Sequence, residues 1–418
     1  PMVRASRIVG PGVALAVLLA ACSPAESTGT TPSTTSTTVA TTTTSAPTTT
    51  AEPTTTTEPP IAAVSVGGDL DATLAAPLAL ALTALNDPRA EGPVLEDMAL
   101  ALTDVAGELD EFYEATATTT ELATGGSVAV ATMDSGDVVL LADEGDGWTV
   151  VGANLASVRD EPWYGEAPRR VLVLGSDARP GGDAAVHRMD SIHILTAVPE
   201  LGAGAILGYP RDTWGDTAYG AMRLNALTSS GRGPDALFEH FTEAWEIPLE
   251  GYILTGFRGF ENLIAATIGR LTVTIPIPIP AQQEFPGFRS GEQTLTPART
   301  LDFSRTRKLI PGGDFTRSFH HGIVMLAALT AIQDGTMEDL PTLLEPLSQF
   351  TSTNLTATDL IQLGAIAMEM DIADITNEVL PGQLGRAGGG QSVVFLDEGY
   401  ETIVDDVIDD GLRNDSQP

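Results

Sequence analysis

Apolar positions recur along this chain at two spacings, and the changes between them mark out its parts. Leu74, Leu78, Leu82 and Leu85, then Leu95, Met98, Leu102, Val105 and Leu109, fall three or four residues apart and predict helices. Alternating runs at 127–131, 138–141 and 148–151, joined by Asp-Gly and Gly-rich turns, predict short strands. Together they make 61–166 a small α+β accessory domain, closed by Pro162-Trp163-Tyr164-Gly165. From Arg169 onward, strand-like segments at 171–174, 192–195, 205–208 and 271–275 alternate with helix-like ones at 234–245, 257–268 and 315–332. This order predicts an α/β sandwich. Helix continues over 341–370, and a last strand at 393–396 precedes a helix at 398–409.

The first 60 residues follow neither period. Arg4 and Arg7 precede the apolar run Ile8 to Ala21, too short to span a bilayer comfortably but suited to a secretory signal. The run ends Leu19-Ala20-Ala21-Cys22, which looks like the lipobox of bacterial lipoproteins and makes Cys22 the predicted lipid anchor. Residues 23–60 read as a solvated tether, because 22 of the 31 positions from Ser27 to Thr57 are Ser or Thr. Extended, such a segment reaches on the order of 100 Å.

Charge narrows the function. The chain has 56 Asp and Glu against 21 Lys and Arg, a formal net charge of −35 that argues against non-specific binding to nucleic acid. One cysteine rules out an intramolecular disulfide framework and any Cys-rich zinc site. Between Arg169 and Arg317, however, 15 basic residues face 16 acidic ones, and 14 of the 15 are arginine. Planar guanidinium donors suit bidentate oxyanion contacts.

Six of those arginines fall in four short segments at element ends, where α/β folds build their sites. They are Leu174-Gly175-Ser176-Asp177-Ala178-Arg179, His187-Arg188-Met189-Asp190-Ser191, Tyr209-Pro210-Arg211-Asp212-Thr213, and Phe303-Ser304-Arg305-Thr306-Arg307-Lys308 with Gly312-Gly313-Asp314-Phe315-Thr316-Arg317. Singly each also reads as a turn, a cap or a surface ion pair. In this order, and with Gly256-Phe257-Arg258-Gly259-Phe260, they resemble the LytR-CpsA-Psr family of cell-wall ligases over about residues 169–335.

The resemblance implies an α-β-α sandwich with a central mixed sheet over 167–335, completed by a C-terminal helical extension at 336–418. It implies an enzyme at the outer face of the cytoplasmic membrane, moving a phosphoglycan from a polyprenyl-pyrophosphate carrier onto a peptidoglycan hydroxyl. Carried over by position, Asp177 and Asp190 become carboxylates for Mg²⁺ or Mn²⁺, and Arg188, Arg211, Arg305, Arg307 and Arg317 a pyrophosphate clamp. Arg179 and Asp212 support it, Asp212 by orienting an arginine or acting as base. The helices at 234–268 and 315–332 then line a tunnel for the polyprenyl chain as well as forming core. Two other readings compete: hydrolysis of the same lipid, and silent binding of lipid or glycan.

The chain also departs from the family. After Arg317 the family usually continues Arg-Gln-Gln, whereas Ser318-Phe319-His320-His321 stands here. His187 and His193 read as a surface and a packed histidine rather than a metal pair, while His320 and His321 suit either the site or the surface. No Gly-x-Ser-x-Gly or Cys/His arrangement supports a hydrolase triad.

Overall fold

The computed structural model describes residues 60–179, 181–229 and 231–413; Cys22, the predicted leader and nearly all of the predicted tether lie outside them. The first part holds β1 (Ser65–Asp69), α1 (Ala72–Asn86), α2 (Glu96–Ala101), β2 (Phe112–Glu121), β3 (Ser127–Met133), β4 (Val138–Asp143) and β5 (Thr149–Asn154). Its strands pair in chain order, β1 parallel to β2 and the rest antiparallel. α1 begins where the Asp71 carboxylate accepts from the Thr73 amide at 2.8 Å. Alternation sends Ala129, Ala131, Val139 and Leu141 toward Leu78, Leu82 and Met98 of the two helices.

The second part begins with β6 (Arg169–Ser176), β7 (Met189–Val198) and β8 (Ala203–Gly208). The hairpin β9 (Trp214–Thr217) and β10 (Gly220–Arg223) leads to α3 (Asp235–Glu239), which widens into a π turn at His240–Ala244. Next come β11 (Gly251–Thr255), α4 (Phe257–Thr267), the ribbon β12 (Leu271–Ile275) and β13 (Gly291–Leu295), then α5 (Pro297–Arg305) and α6 (Asp314–Ile332). The chain closes with α7 (Leu340–Phe350), β14 (Ser352–Thr353), α8 (Ala357–Glu369), β15 (Ile375–Val379), β16 (Gly382–Arg386), β17 (Ser392–Leu396) and α9 (Tyr400–Asp410). Six strands form a mixed sheet in the order β14-β11-β6-β7-β8-β15, with β6–β11 and β8–β15 parallel and the other pairs antiparallel. The alternation of β6 divides its faces. Val171 and Val173 meet α4, α6, α7 and α8, while Leu172 and Leu174 join the core that includes Leu237 and Phe241 near α3 and Val404 of α9.

The two sheets share a core. Val128, Val130 and Leu140, on the second face of the first sheet, pack into the same cluster as Val171 and Val173, through α7 and α8 between them. Gln362 of α8 ties the layers with polar contacts, donating to the Val151 carbonyl at 2.6 Å and accepting from Arg169 at 2.9 Å. Residues 61–166 therefore keep a core of their own around Leu78, Leu82 and Met98 and share a second one with the central sheet. The 336–418 extension is more than helical: β15 extends the central sheet and β16–β17 add a hairpin.

Three further differences have local causes. The predicted strand at 271–275 pairs only with β13, outside the central sheet, whose place beside β6 goes to β11. All five residues of β11 are buried, and a strand covered on both faces shows no period-two signal. The predicted helix at 341–370 breaks in two, because Thr356 and Asp359 form a capping box that starts α8 afresh and Thr353 donates to the Tyr252 carbonyl at 2.6 Å.

Leu360 lies in the shared core, so Leu360→Ala should cost about 2–5 kcal/mol of stability. Hydrogen exchange should then show the amides of β3 and β6 losing protection together. Loss in one sheet alone would mean two independent cores.

Candidate active site

The site is built where β6 and β8 end and β7 begins. Backbone pairing of the Asp177 amide to the Arg188 carbonyl at 3.0 Å closes the β6–β7 end and sets Asp177 and Asp190 at one edge. The turn after β8 delivers Arg211 and Asp212, held by the Asn225 amide donating to the Arg211 carbonyl at 3.1 Å. Arg305 ends α5, its guanidinium 4.1 Å above the Phe257 ring at the start of α4. Arg317 stands on the first turns of α6, which a double-glycine turn places over the sheet. Gly312 and Gly313 both have positive φ, and a Cβ on Gly312 would lie 2.5 Å from the Thr316 hydroxyl.

These elements enclose a cavity of about 460 Å³. Its mouth is polar: Asp177, Arg179, Arg188, Asp190, Arg211, Arg305, Arg307 and Arg317 all line it. Its interior is apolar, walled by Phe260, Leu263 and Ile264 of α4 and by Val324, Met325, Ala328 and Leu329 of α6. Six arginines against two aspartates give the mouth a positive charge within a chain of net charge −35, which favours an anionic head group over a cationic one. Of the metal carboxylates, clamp arginines and their two supporting residues named from the sequence, Asp212 alone does not line the cavity. Its Oδ1 accepts from Asn225 at 3.2 Å and faces Arg223 at 3.3 Å, and its Oδ2 lies 3.5 Å from Arg211 Nε. These contacts suit Asp212 to orienting Arg211.

Two arginines and two acids form a closed ring. Arg211 donates to Asp190 and lies 3.6 Å from Asp314; Arg317 lies 2.6 Å from Asp314 and 3.6 Å from Asp190, whose carbonyl it also meets at 3.0 Å. Asp314 had no assigned role from sequence, although its spacing of three before Arg317 on a helix places both on one face. Burial pushes the Asp314 carboxyl upward against the pull of Arg317 and Arg211. The ring is incompletely bonded: both Asp314 oxygens and the Nε atoms of Arg211 and Arg317 are buried without a hydrogen-bond partner. Such unmet donors are what an entering oxyanion would satisfy. Arg179, Arg188, Arg305 and Arg307 make no ion pair with a carboxylate among the described residues.

The same residues bear on a metal. Among the described residues no group of three or more His, Cys, Asp or Glu side chains is placed to hold one. Asp177 and Asp190 nevertheless fit a hard cation, which takes one or two carboxylates and fills its shell with water and phosphate oxygens.

Three histidines lie behind the mouth. His193, fully buried, has Ser191 Oγ at 3.0 Å from Nδ1 and the Ser318 carbonyl at 3.1 Å from Nε2. His320 stacks on Phe303 with ring centres 4.3 Å apart. His321 lines the cavity, its Nε2 2.7 Å from the Ser304 carbonyl. His187, the surface histidine, sits 3.8 Å from Asp177.

The sequence model of the LytR_cpsA_psr family matches residues 156–404. Over 208 residues the chain is 26% identical to the polyisoprenyl-teichoic acid–peptidoglycan teichoic acid transferase TagV of Bacillus subtilis (strain 168), covering 46% of this chain and 53% of that one. Over 160 residues it is 29% identical to the TagU transferase of the same description from Bacillus cereus (strain AH820), covering 38% and 50%. The chain thus spans about half the length of the curated relatives it matches. Among solved structures, that of B. subtilis TagV superposes with a TM-score of 0.51 at 24% identity, over 61% of this chain and all of that one. A Streptococcus agalactiae protein superposes with a TM-score of 0.51 at 20% identity, over 60% and 90%. These superpositions establish the fold.

The histidines give the site a pH dependence. Burial lowers His193 and His320 to about 4 each, so both rings are neutral in the folded protein near pH 7. An unfolded histidine titrates near 6.5, so the unfolded chain binds protons that the folded chain refuses between about pH 6.5 and 4. Stability is therefore full above pH 6.5 and falls as pH drops toward 4, by up to about 1.4 kcal/mol per pH unit for each ring. Urea midpoints at pH 7, 6 and 5 should fall for the wild type and fall less steeply for His320→Leu. Parallel profiles would remove His320 from the effect.

Proposed function

Since the chain belongs to the LytR_cpsA_psr family, we propose that it transfers a phosphoglycan from a polyprenyl-pyrophosphate carrier onto a peptidoglycan hydroxyl in the cell envelope. The observation that carries this reading is the polarity of one cavity, with arginines at its mouth and apolar walls within. That polarity matches an amphiphile whose isoprenoid tail enters and whose pyrophosphate stays at the rim. TagV and TagU carry names that describe such a transfer for teichoic acid. Among the described residues no helix is long and apolar enough to cross a membrane. In this reading Cys22 carries the lipid anchor, and the tether of residues 23–60 gives the reach from the membrane surface.

The chain's residues divide the work. Apolar burial of the tail orients the donor, fixing which phosphate faces the opening. The acceptor hydroxyl attacks the phosphorus bearing the glycan, a new phosphodiester bond forms, the bond to polyprenyl phosphate breaks, and the hydroxyl proton leaves to the departing phosphate or to solvent. Charge accumulates on the non-bridging oxygens and on the departing phosphate, and Arg188, Arg305, Arg307, Arg211 and Arg317 are placed to meet it without reorganising. Asp314 and Asp190 keep Arg211 and Arg317 at the mouth. Asp177 and Asp190 would hold Mg²⁺ or Mn²⁺, which supplies further neutralisation of phosphate oxygens when bound.

Incubation with lipid-pyrophosphate glycan, with and without peptidoglycan, tests the reading. Ligated product supports transfer; phosphate products independent of acceptor would mean hydrolysis, and no turnover would mean a binding protein. Arg305→Ala and Arg307→Ala should each lose about 2–4 kcal/mol of transition-state stabilisation, or roughly 30-fold to 1,000-fold in rate. Exposed Arg289→Ala should leave the rate unchanged. EDTA and Asp177→Asn should each abolish turnover while thermal melting stays near wild type; full activity in both would remove the metal.

A further inference from the structure

The face of α6 that lines the cavity changes character along its length. Arg317, His321, Val324, Met325, Ala328 and Leu329 all line it, in the order cation, imidazole, hydrocarbon. At 1.5 Å rise per residue, His321 lies about 6 Å inward of Arg317, at the junction between the charged mouth and the apolar interior. A carbonyl oxygen accepts only, so the contact with Ser304 places the neutral ring's proton on Nε2 and leaves a lone pair on Nδ1. Nδ1 is buried and has no hydrogen-bond partner. Neither neighbouring histidine shares this combination. His193 has partners on both nitrogens, and His320 stacks on Phe303 and does not line the cavity.

We infer that His321 Nδ1 binds the tail-side phosphate of the lipid pyrophosphate, taking up a proton from solvent as it does so. The inference rests on the lipid-pyrophosphate reading above. Tail burial puts the phosphate esterified to the isoprenoid at the junction, against His321. A bare Nδ1 lone pair repels a phosphate oxygen, and a protonated Nδ1 donates to it with a charge-assisted bond.

In the ligand-free protein the surroundings keep the ring neutral. Burial is the largest cause, followed by His193 from β7 and Arg317 from its own helix, with His320 adding to it and the Ser304 carbonyl of α5 opposing. The other charged groups on the same cavity are Asp177, Arg179, Arg188, Asp190, Arg211, Arg305 and Arg307. A bound pyrophosphate reverses the balance by adding negative charge beside the ring. Proton uptake at His321 makes head-group binding in this chain pH-dependent.

Calorimetry with the full chain and geranylgeranyl pyrophosphate, at pH 7 in two buffers of different ionisation heat, measures protons taken up on binding. The ligand's own terminal phosphate contributes equally to wild type and His321→Gln, so the difference between them reports the ring. Wild type should take up about one proton more than His321→Gln, which should still bind within about tenfold. Equal uptake in the two would overturn the proposal and leave the lipid reading standing; no binding by wild type would overturn that reading itself. If His321→Gln does not fold, ¹⁵N-histidine spectra of the wild type replace it. One ring should gain a second proton on binding, and an unchanged set of rings would overturn the proposal.

Discussion

Two guanidinium groups held between two carboxylates set the geometry on which the rest of the site depends. Arg211 and Arg317 each face Asp190 and Asp314, so neither arginine moves without leaving a partly buried acid uncompensated. Buried charge pairs add little net stability, because desolvation offsets their attraction, yet removing one partner typically costs about 3–5 kcal/mol. The ring is therefore better understood as positioning than as stabilisation. It keeps arginines at the mouth in advance of a ligand and leaves two Nε donors unmet for that ligand to satisfy.

The fold supplies the ring from distant sequence. Asp190 comes from the start of β7, Arg211 from the turn after β8, and Asp314 and Arg317 from α6. The double-glycine turn brings α6 over the sheet, and its apolar face then closes the cavity with α4. The shared core around α7 and α8 fixes these layers against the first sheet, so residues 61–166 buttress the site as well as preceding it.

Much of this was legible beforehand because the signals are local. Strands β6, β7 and β8, helices α4 and α6, and the charged segments at their ends all show in short windows of sequence, and the ordered motifs identified the family. What stayed hidden depends on contacts far apart in the chain. β11 is buried on both faces and so lacks a period, and the split between α7 and α8 depends on Thr353 meeting Tyr252, 101 residues away. Asp314 was visible as a motif letter, but its role requires Arg211, about 100 residues earlier, to stand beside it. The partners of Asp212 were hidden for the same reason: its carboxylate faces Arg223 and Asn225 as well as Arg211, which no short window of sequence shows.

The central claim is that one cavity takes an isoprenoid tail inside and its pyrophosphate at the arginine mouth. A crystal structure of the protein with geranylgeranyl pyrophosphate tests it directly. The account predicts the tail between α4 and α6, against Leu263 and Met325, and the pyrophosphate within hydrogen-bond distance of Arg305, Arg307 and Arg317. A head group bound elsewhere, or a tail left in solvent beside a bound head group, would contradict it.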